Sequence, residues 1–379
     1  MSAVKLVFWA SAGLIVYAQA GYPALLAAIA RARGRAPAPP PPVPRGVEPD
    51  VSLVIAAHRE ADVIAAKVAD ALALDWPRER LEVIVACDGS PDDTPTQARA
   101  AGADVVLELP WGGKVRAQDA AVERARAGIL AFSDANARWE PEALRALLAP
   151  LVAAPRVGYV CGQVRFVGAG GTNQEGLYWL YEMAIRALES RLASVTGGNG
   201  AIYAVRREAY VHVDPVMGHD LSLPFTLVKG GWRAVYEPRA RAAEKMVPSI
   251  EGEFARKRRM MSHAWPIVLR GGLLSPRGYP PLYALMVLSH RALRYATPFL
   301  HVVALASSAT LLARGWVYAL AFAVQAGVLA AALAGGASRS RPLLLARYYV
   351  LTTASVAAGL YDHLRHGTPA GWAPPEGTR

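Results

Sequence analysis

Seven short stretches of this sequence carry residue types whose spacing suits chemistry. Asp88-Gly89-Ser90 and Ser133-Asp134-Ala135-Asn136 each follow a short apolar run, as does His58-Arg59-Glu60. Asp, Ser and Asn in such places either cap the next helix or face a ligand. Gly112-Gly113-Lys114 opens a helical stretch, where glycines let a phosphate approach free N–H groups and Lys114 adds a full positive charge. It has neither Walker spacing nor the G-x-G-x-x-G pattern, and its plain alternative is a loop with a solvated lysine. Gly197-Gly198-Asn199-Gly200 is either a tight turn or a place where a bulky ligand meets the backbone. His219-Asp220 precedes a predicted helix over Leu221–Val228, so Asp220 is either its cap or a general base at a pocket mouth. Arg256 and Arg259, three apart on one helix face, can clamp a pyrophosphate or contact anionic lipid.

The elements that must position these groups alternate. Apolar runs at Val51–Ala57, Leu81–Ala86, Val105–Leu109 and Ile129–Phe132 are separated by helical stretches at Ala61–Leu74, Thr94–Ala101, Val115–Ala127 and Pro141–Leu151. This order predicts βαβ units and a mainly parallel α/β sheet. Ligands of such sheets sit beyond the carboxyl ends of the strands, where Glu60, Asp88 and Asp134 fall. No G-x-G-x-x-G follows Val51–Ala57, which disfavours a dinucleotide-dependent oxidoreductase.

The chain has 379 residues, is 53% hydrophobic and only 19% charged, and has a mean hydropathy of +0.21. That composition excludes disorder and argues against a purely soluble protein. Two cysteines, Cys87 and Cys161, cannot form a disulfide framework or a zinc site by themselves and read as reduced, buried residues. The net charge of +11 suits nucleotide phosphates or lipid headgroups without choosing between them, and no nucleic-acid partner is expected.

Leu6–Ala30 is an uncharged run of 25 residues, long enough to span and too long for a signal-peptide core. Lys5 precedes it and Arg31, Arg33 and Arg35 follow, which puts the next segment in the cytoplasm. Tyr295–Ala313 and Gly315–Ser338, separated by Arg314, read as a hairpin that crosses and returns. Tyr348–Tyr361 has an uncharged length in the interfacial or re-entrant range, with the C-terminal tail cytoplasmic. Pro281–Arg294 reads as an amphipathic helix in the headgroup plane. The expected organisation is an anchor at 1–31, a proline-rich linker at 32–48 and a catalytic domain at 49–248. Interfacial helices at 249–294, transmembrane helices at 295–361 and a tail at 362–379 complete it.

These pieces, in this order, resemble the membrane-bound family 2 glycosyltransferases, the cellulose-, chitin- and hyaluronan-synthase-like group. The matching residues are Glu60, Asp88-Gly89-Ser90-Pro91-Asp92-Asp93-Thr94, Gly113-Lys114, Ser133-Asp134-Ala135-Asn136, Gly198-Asn199-Gly200, Asp220 and the stretch Arg256–Met260. Trp372–Arg379 is similar to a terminal Trp…Arg segment of some relatives. The resemblance implies a GT-A domain and inverting transfer of a sugar from a nucleotide-sugar, foremost a UDP-sugar, to a lipid-linked or polysaccharide acceptor. The site would lie on the cytoplasmic face of the plasma membrane. It implies donor contacts from Glu60, Asp88, Gly89, Lys114, Asp134, Arg256 and Arg259, and acceptor contacts from Gly198, Asn199, Gly200 and His219. It further implies Mg²⁺ or Mn²⁺ on Asp134 and Asn136, with Asp220 as base. Asn136, His219, Arg256 and Met260 depart from the family pattern. Asn136, His219 and Met260 keep open the alternative of an inactive nucleotide-sugar binder that scaffolds a polysaccharide assembly.

Overall fold

The computed structural model describes residues 2–34, 38–167, 174–245, 247, 249–338 and 340–371, so the expected Trp372–Arg379 motif lies outside the described residues. At the N-terminus, α1 (Ala3–Val16) continues through a π-helical turn, Tyr17–Gly21, into α2 (Tyr22–Ala32). The sheet-forming part follows: β1 (Val51–Ala57), α3 (Ala61–Leu72), β2 (Leu81–Asp88), α4 (Thr94–Ala100), β3 (Val105–Leu109), α5 (Lys114–Arg124), β4 (Ile129–Asp134) and β5 (Arg138–Trp139). Next come α6 (Ala143–Ala153), β6 (Val157–Val167), α7 (Gln174–Leu192), β7 (Tyr203–Arg206), α8 (His219–Lys229) and β8 (Arg233–Lys245). The C-terminal helices are α9 (Ile250–Leu269), α10 (Pro281–Met286), α11 (Leu293–Thr310), α12 (Trp316–Ala334) and α13 (Arg341–His366).

The eight strands form one sheet in the order β3-β2-β1-β4-β7-β6-β8-β5. Pairings among β1 to β4 are parallel, as the apolar runs predict, and so is β6 with β8. β7 enters antiparallel between β4 and β6, and β5 pairs antiparallel with β8. Every residue of β1 is buried, with Leu53 and Ile55 in the core on one face and Val54 in the core on the other. Covering both faces is what a parallel sheet requires. Register then sets the site: Ala56 pairs with Asp134 and Ala57 with Cys87, so the ends of β1, β2 and β4 share one edge.

The core does not stop at the sheet and its helices. Tyr22 and Leu26 of α2 and Tyr283 and Tyr295 of the C-terminal helices join the same buried cluster as Phe132 and Tyr203. Arg191 donates to the Ala30 carbonyl (2.8 Å) and Arg33 to that of Leu192 (2.8 Å), docking α2 on α7. The Leu6–Ala30 run is therefore divided. Leu6, Trp9 and Val16 of α1 are exposed, whereas Tyr22, Leu26 and Ala30 are buried in the protein.

Among the described residues, three helices are long and apolar enough to cross a membrane: Ala3–Ala32, Trp316–Ala334 and Arg341–His366. The expected span Tyr295–Ala313 falls mainly in α11, which is not one of them because it carries Arg294, Thr297, His301, Ser307, Ser308 and Thr310. It nevertheless packs beside α1 and turns into α12 at Gly315. Ser2, Lys5, Thr310 and Arg314 line one cleft, so the start of α1 and the α11–α12 turn lie at the same end. The expected interfacial helix Pro281–Arg294 is not separate, since a π-turn, Val287–Ala292, carries α10 directly into α11.

Tyr348–Tyr361 lies within α13, a helix long enough to span, yet both ends of α13 return to the catalytic side. Arg347 bonds Glu251 (2.7 Å) near its start, and just beyond its end Thr368 donates to the Ser262 carbonyl (2.9 Å). Between them, Lys257 donates to Tyr348 (2.8 Å) and Arg258 makes two 2.6 Å bonds to Asp362. Close approach is possible because position 359 is glycine: a Cβ there would lie 2.6 Å from that of Met261.

Candidate active site

Asp88, at the end of β2, is buried and caps no helix. Its Oδ1 accepts from the Gly112 amide (2.7 Å) and its Oδ2 from that of Gly113 (2.9 Å). It therefore holds the Gly-Gly-Lys loop in place, and Gly113, at φ +100°, needs the freedom of glycine to do so. Gly89 is also left-handed at φ +57°, and a Cβ there would lie 2.6 Å from Trp111. The rest of the Asp-Gly-Ser-x-Asp-x-Thr segment supports β1. Thr94 accepts from the Glu60 amide (2.9 Å), Asp92 from Thr94 (2.6 Å), and Ser90 from the amide of Arg59 (3.0 Å). Arg59 is the non-glycine residue held at positive φ (56°), a strain that tends to sit at functional edges. Glu60 is buried at the head of α3.

Lys114 and Asp134 form an ion pair. Burial pulls the Lys114 ammonium down, but the charge and hydrogen bond of Asp134, with the charges of Asp220 and Glu244, outweigh it and hold it above its ordinary value. Lys114, Asp134, Asp220 and Glu244 thus converge electrostatically. Gly200 is at the same place: a Cβ there would be 2.9 Å from Lys114 Nζ and 3.4 Å from Asp134 Oδ2. Asp220 is not the N-cap of α8. Gly218 holds that position without a side-chain bond, and Asp220 lies in the first turn, where the helix dipole favours a carboxylate. Its backbone carbonyl accepts from the Gly198 amide (2.6 Å), tying the glycine turn to the candidate base.

Two expected acceptor residues serve other purposes. Asn199 is buried; its Nδ2 donates to the Gly162 carbonyl (2.8 Å) and its Oδ1 accepts from the Ile202 amide (2.9 Å), so its amide joins the middle of β6 to the start of β7. His219 is buried behind Asp220, with Nδ1 against Tyr203 (3.0 Å) and Nε2 against Tyr210 (3.3 Å). Burial, with the charge of Lys114, pushes its pKa down to about 3, so the ring is neutral. Both act as positioning residues.

On α9, Arg256 is held by two 2.7 Å bonds to Glu253 and would have to exchange them for a pyrophosphate. One turn beyond Arg259, His263 is lowered by burial and by Arg259 and raised by Asp220, which brings this face of α9 within reach of the base. Met260 is exposed and its sulfur lies 3.4 Å from Arg256.

Three residues that the sequence reading passes over belong here. Glu244 lies in β8, whose polar composition resembles no apolar run. Lys67 is buried, donates to the Ala137 carbonyl (2.6 Å) beside Asn136, and is brought down to about 7 by burial. Trp111 is exposed on the loop before Gly112, where Gly371 lies against it and Ala370 against Gly113.

Residues 52–213 match the family described as Glycosyl transferase family 2. The chain carries a family 2 glycosyltransferase domain. Over 172 residues it is 31% identical to the beta-monoglucosyldiacylglycerol synthase of Synechocystis sp., covering 41% of this chain and 33% of that protein. The match therefore spans one third of the length of that curated relative. The mannosyltransferase PcManGT from Pyrobaculum calidifontis, solved in complex with GDP-Man and Mn2+, superposes with a TM-score of 0.70 at 23% identity. The superposition covers 94% of this chain and 99% of that one. At that identity the likeness shows a common GT-A fold.

The donor set also fits a hard cation in part. Asp134 and Asn136 offer oxygen ligands, and no group of three His, Cys, Asp or Glu suited to a metal occurs among the described residues. Mg²⁺ in particular is commonly held by one or two carboxylates plus substrate phosphates. A cation here would need the diphosphate to complete its shell.

Proposed function

We propose that this protein is an inverting glycosyltransferase that moves a sugar from a nucleotide-sugar, foremost a UDP-sugar, to a hydroxyl of a lipid-linked or glycan acceptor at the cytoplasmic face of a membrane. The observation that carries the reading is the convergence of Lys114, Asp134 and Asp220 at one sheet edge beside Gly200. The reaction forms a bond between acceptor oxygen and anomeric carbon while the bond from that carbon to the diphosphate breaks on the opposite face. Asp220 takes the hydroxyl proton. Lys114 and the amide-rich start of α5 stabilise charge growing on the departing diphosphate. Asp134 and Asn136 would hold a divalent cation, which supplies Lewis-acid stabilisation of the same charge. Asp88 keeps Gly112 and Gly113 open to the phosphates, and His219 fixes the first turn of α8 on which Asp220 is carried.

The membrane reading rests on α1 and α12, which expose apolar side chains, and on the docking of α2 against α7 next to Arg31 and Arg33. That arrangement supports a catalytic domain on the arginine-rich, cytoplasmic side. Among the described residues three helices are long and apolar enough to span, and this small number favours single or few transfers over secretion of a polymer. The test is release of nucleoside diphosphate from a panel of nucleotide-sugars by the purified chain in nanodiscs. Asp220→Asn should retain nucleotide binding and lose most turnover.

A further inference from the structure

Two guanidinium groups meet the Gly197–Gly198 turn that joins Asp220 to the membrane-proximal helices. Arg186, on α7, is 6% exposed; it donates from Nη2 to the Gly198 carbonyl (2.9 Å) and lies 5.8 Å from the rings of Trp179 and Tyr236. Arg291, in the π-turn before α11, is half-buried and donates from Nε to Thr196 Oγ1 (3.0 Å). Its guanidinium lies directly over Gly197, where any side chain would collide with it. Among the described residues neither arginine is in an ion pair, whereas Arg294, one turn on, is matched by Glu182.

The nearby carboxylates are already engaged. Glu182 takes Arg294 and His290, and Glu189 accepts from Tyr22 (2.6 Å), Thr196 (3.0 Å) and His290 (2.7 Å). Among the described residues no carboxylate is hydrogen-bonded to Arg186 or Arg291, whose bonds go to the Gly198 carbonyl, the Met183 sulfur and Thr196. Tyr159 adds a second kind of vacancy: its hydroxyl is buried against Gly198 and has no hydrogen-bond partner among the described residues. A desolvated guanidinium is unfavourable unless an anion reaches it, and its planar fork matches the oxygens of phosphate.

We infer that this turn binds an oxyanion of the acceptor, a phosphate carried by a lipid, between Arg186 and Arg291 beside Asp220. The inference rests on the lipid-linked form of the acceptor proposed above. Two sources share this chemistry. In a phosphodiester lipid such as phosphatidylglycerol, the phosphate anchors and a glycerol hydroxyl attacks, giving its proton to Asp220. In a lipid monophosphate, an already ionised phosphate oxygen attacks the anomeric carbon and no proton needs removing. In either case the nucleoside diphosphate leaves with the electron pair of the broken bond.

Binding is measured without any sugar donor, so its failure is separate from failure of the transferase reading. The full chain in phosphatidylcholine nanodiscs is titrated with phosphatidylglycerol, a long-chain lipid monophosphate or diacylglycerol, following thermal stabilisation. At least one anionic lipid should stabilise the protein and diacylglycerol should not. Arg291→Gln should weaken apparent affinity at least ten-fold, and Arg277→Gln, an exposed control, should leave it unchanged. If Arg291→Gln fails to fold, Gly197→Ala, which displaces the same guanidinium, should give the same loss. Equal stabilisation by diacylglycerol, equal loss in Arg277→Gln, or no stabilisation by either anionic lipid overturns the inference. With donor present, Asp220→Asn then assigns the source: transfer to phosphatidylglycerol is lost, while transfer to a monophosphate persists.

Discussion

Asp134 and His219 show how differently two polar residues of one site behave. Asp134 is paired with Lys114 and offers its second oxygen toward Gly200, where a diphosphate-bound cation would sit. Asp134→Ala should therefore abolish the Mn²⁺ dependence of nucleotide binding measured by titration calorimetry. An unchanged Mn²⁺ titration would place the cation elsewhere. His219 affects stability through protons. Its folded pKa of about 3 lies below the ordinary 6.5, so the unfolded chain binds the proton first as pH falls. Its contribution is fully present above about pH 6.5 and is lost as pH drops toward 3. His219→Gln should flatten the melting temperature against pH in that window, and an unchanged slope would contradict the assignment. Asp88 and Asp134 were legible because an acidic residue after an apolar run is conspicuous, and Asp220 because it precedes a helical stretch. Asn199 and His219 were not, because residue type does not reveal which polar side chains the sheet will bury. Glu244 escaped for the opposite reason: it sits in a strand too polar to be noticed.

At the scale of elements, β1 to β4 and their helices could be read within a few residues, since fully buried parallel strands leave unbroken apolar runs. The strands from β5 to β8 could not. β5 is two residues long, and β8 runs Arg-Ala-Val-Tyr-Glu-Pro-Arg-Ala-Arg-Ala-Ala-Glu-Lys, a pattern fixed only by its neighbours β6 and β5. Helix boundaries shifted for local reasons: α5 begins at Lys114 because Asp88 fixes the two preceding amides. The α9–α13 contact is the element-level feature that most directly supports the site, because α9 carries Arg259 and His263. Gly359→Leu would drive side-chain atoms into Met261 and the backbone of Ser262 and Arg258. Overpacking of this kind costs about 1–3 kcal/mol. The expected result is a melting temperature lower by several degrees and a raised donor KM. Wild-type stability in this variant would mean that the two helices separate freely.

For the molecule as a whole, a single buried cluster runs from the sheet into the helices at both chain ends, so the catalytic domain and its membrane-proximal helices are one body. The start of α1 and the α11–α12 turn lie at one end, and both ends of α13 return to the catalytic side. Composition revealed the apolar helices but not this arrangement, because α11 is partly polar and α13 is long enough to span. With Cys87 and Cys161 buried, introduced cysteines can report sidedness. Arg314→Cys should react with a membrane-impermeant thiol reagent on intact cells, and Glu79→Cys only after lysis; the reverse pattern would invert the topology. The central claim is the transfer reaction at Asp220, and nucleoside diphosphate release tests it most directly. In nanodiscs with Mn²⁺ or Mg²⁺, a nucleotide-sugar panel and host lipid extract, one donor should be turned over. Asp220→Asn should be slower by about 10²–10⁴-fold with nucleotide binding intact. Equal release by wild type and Asp220→Asn with a hydroxyl acceptor such as phosphatidylglycerol would contradict the account, and binding of nucleotide without release from any donor would favour an inactive nucleotide-sugar binder.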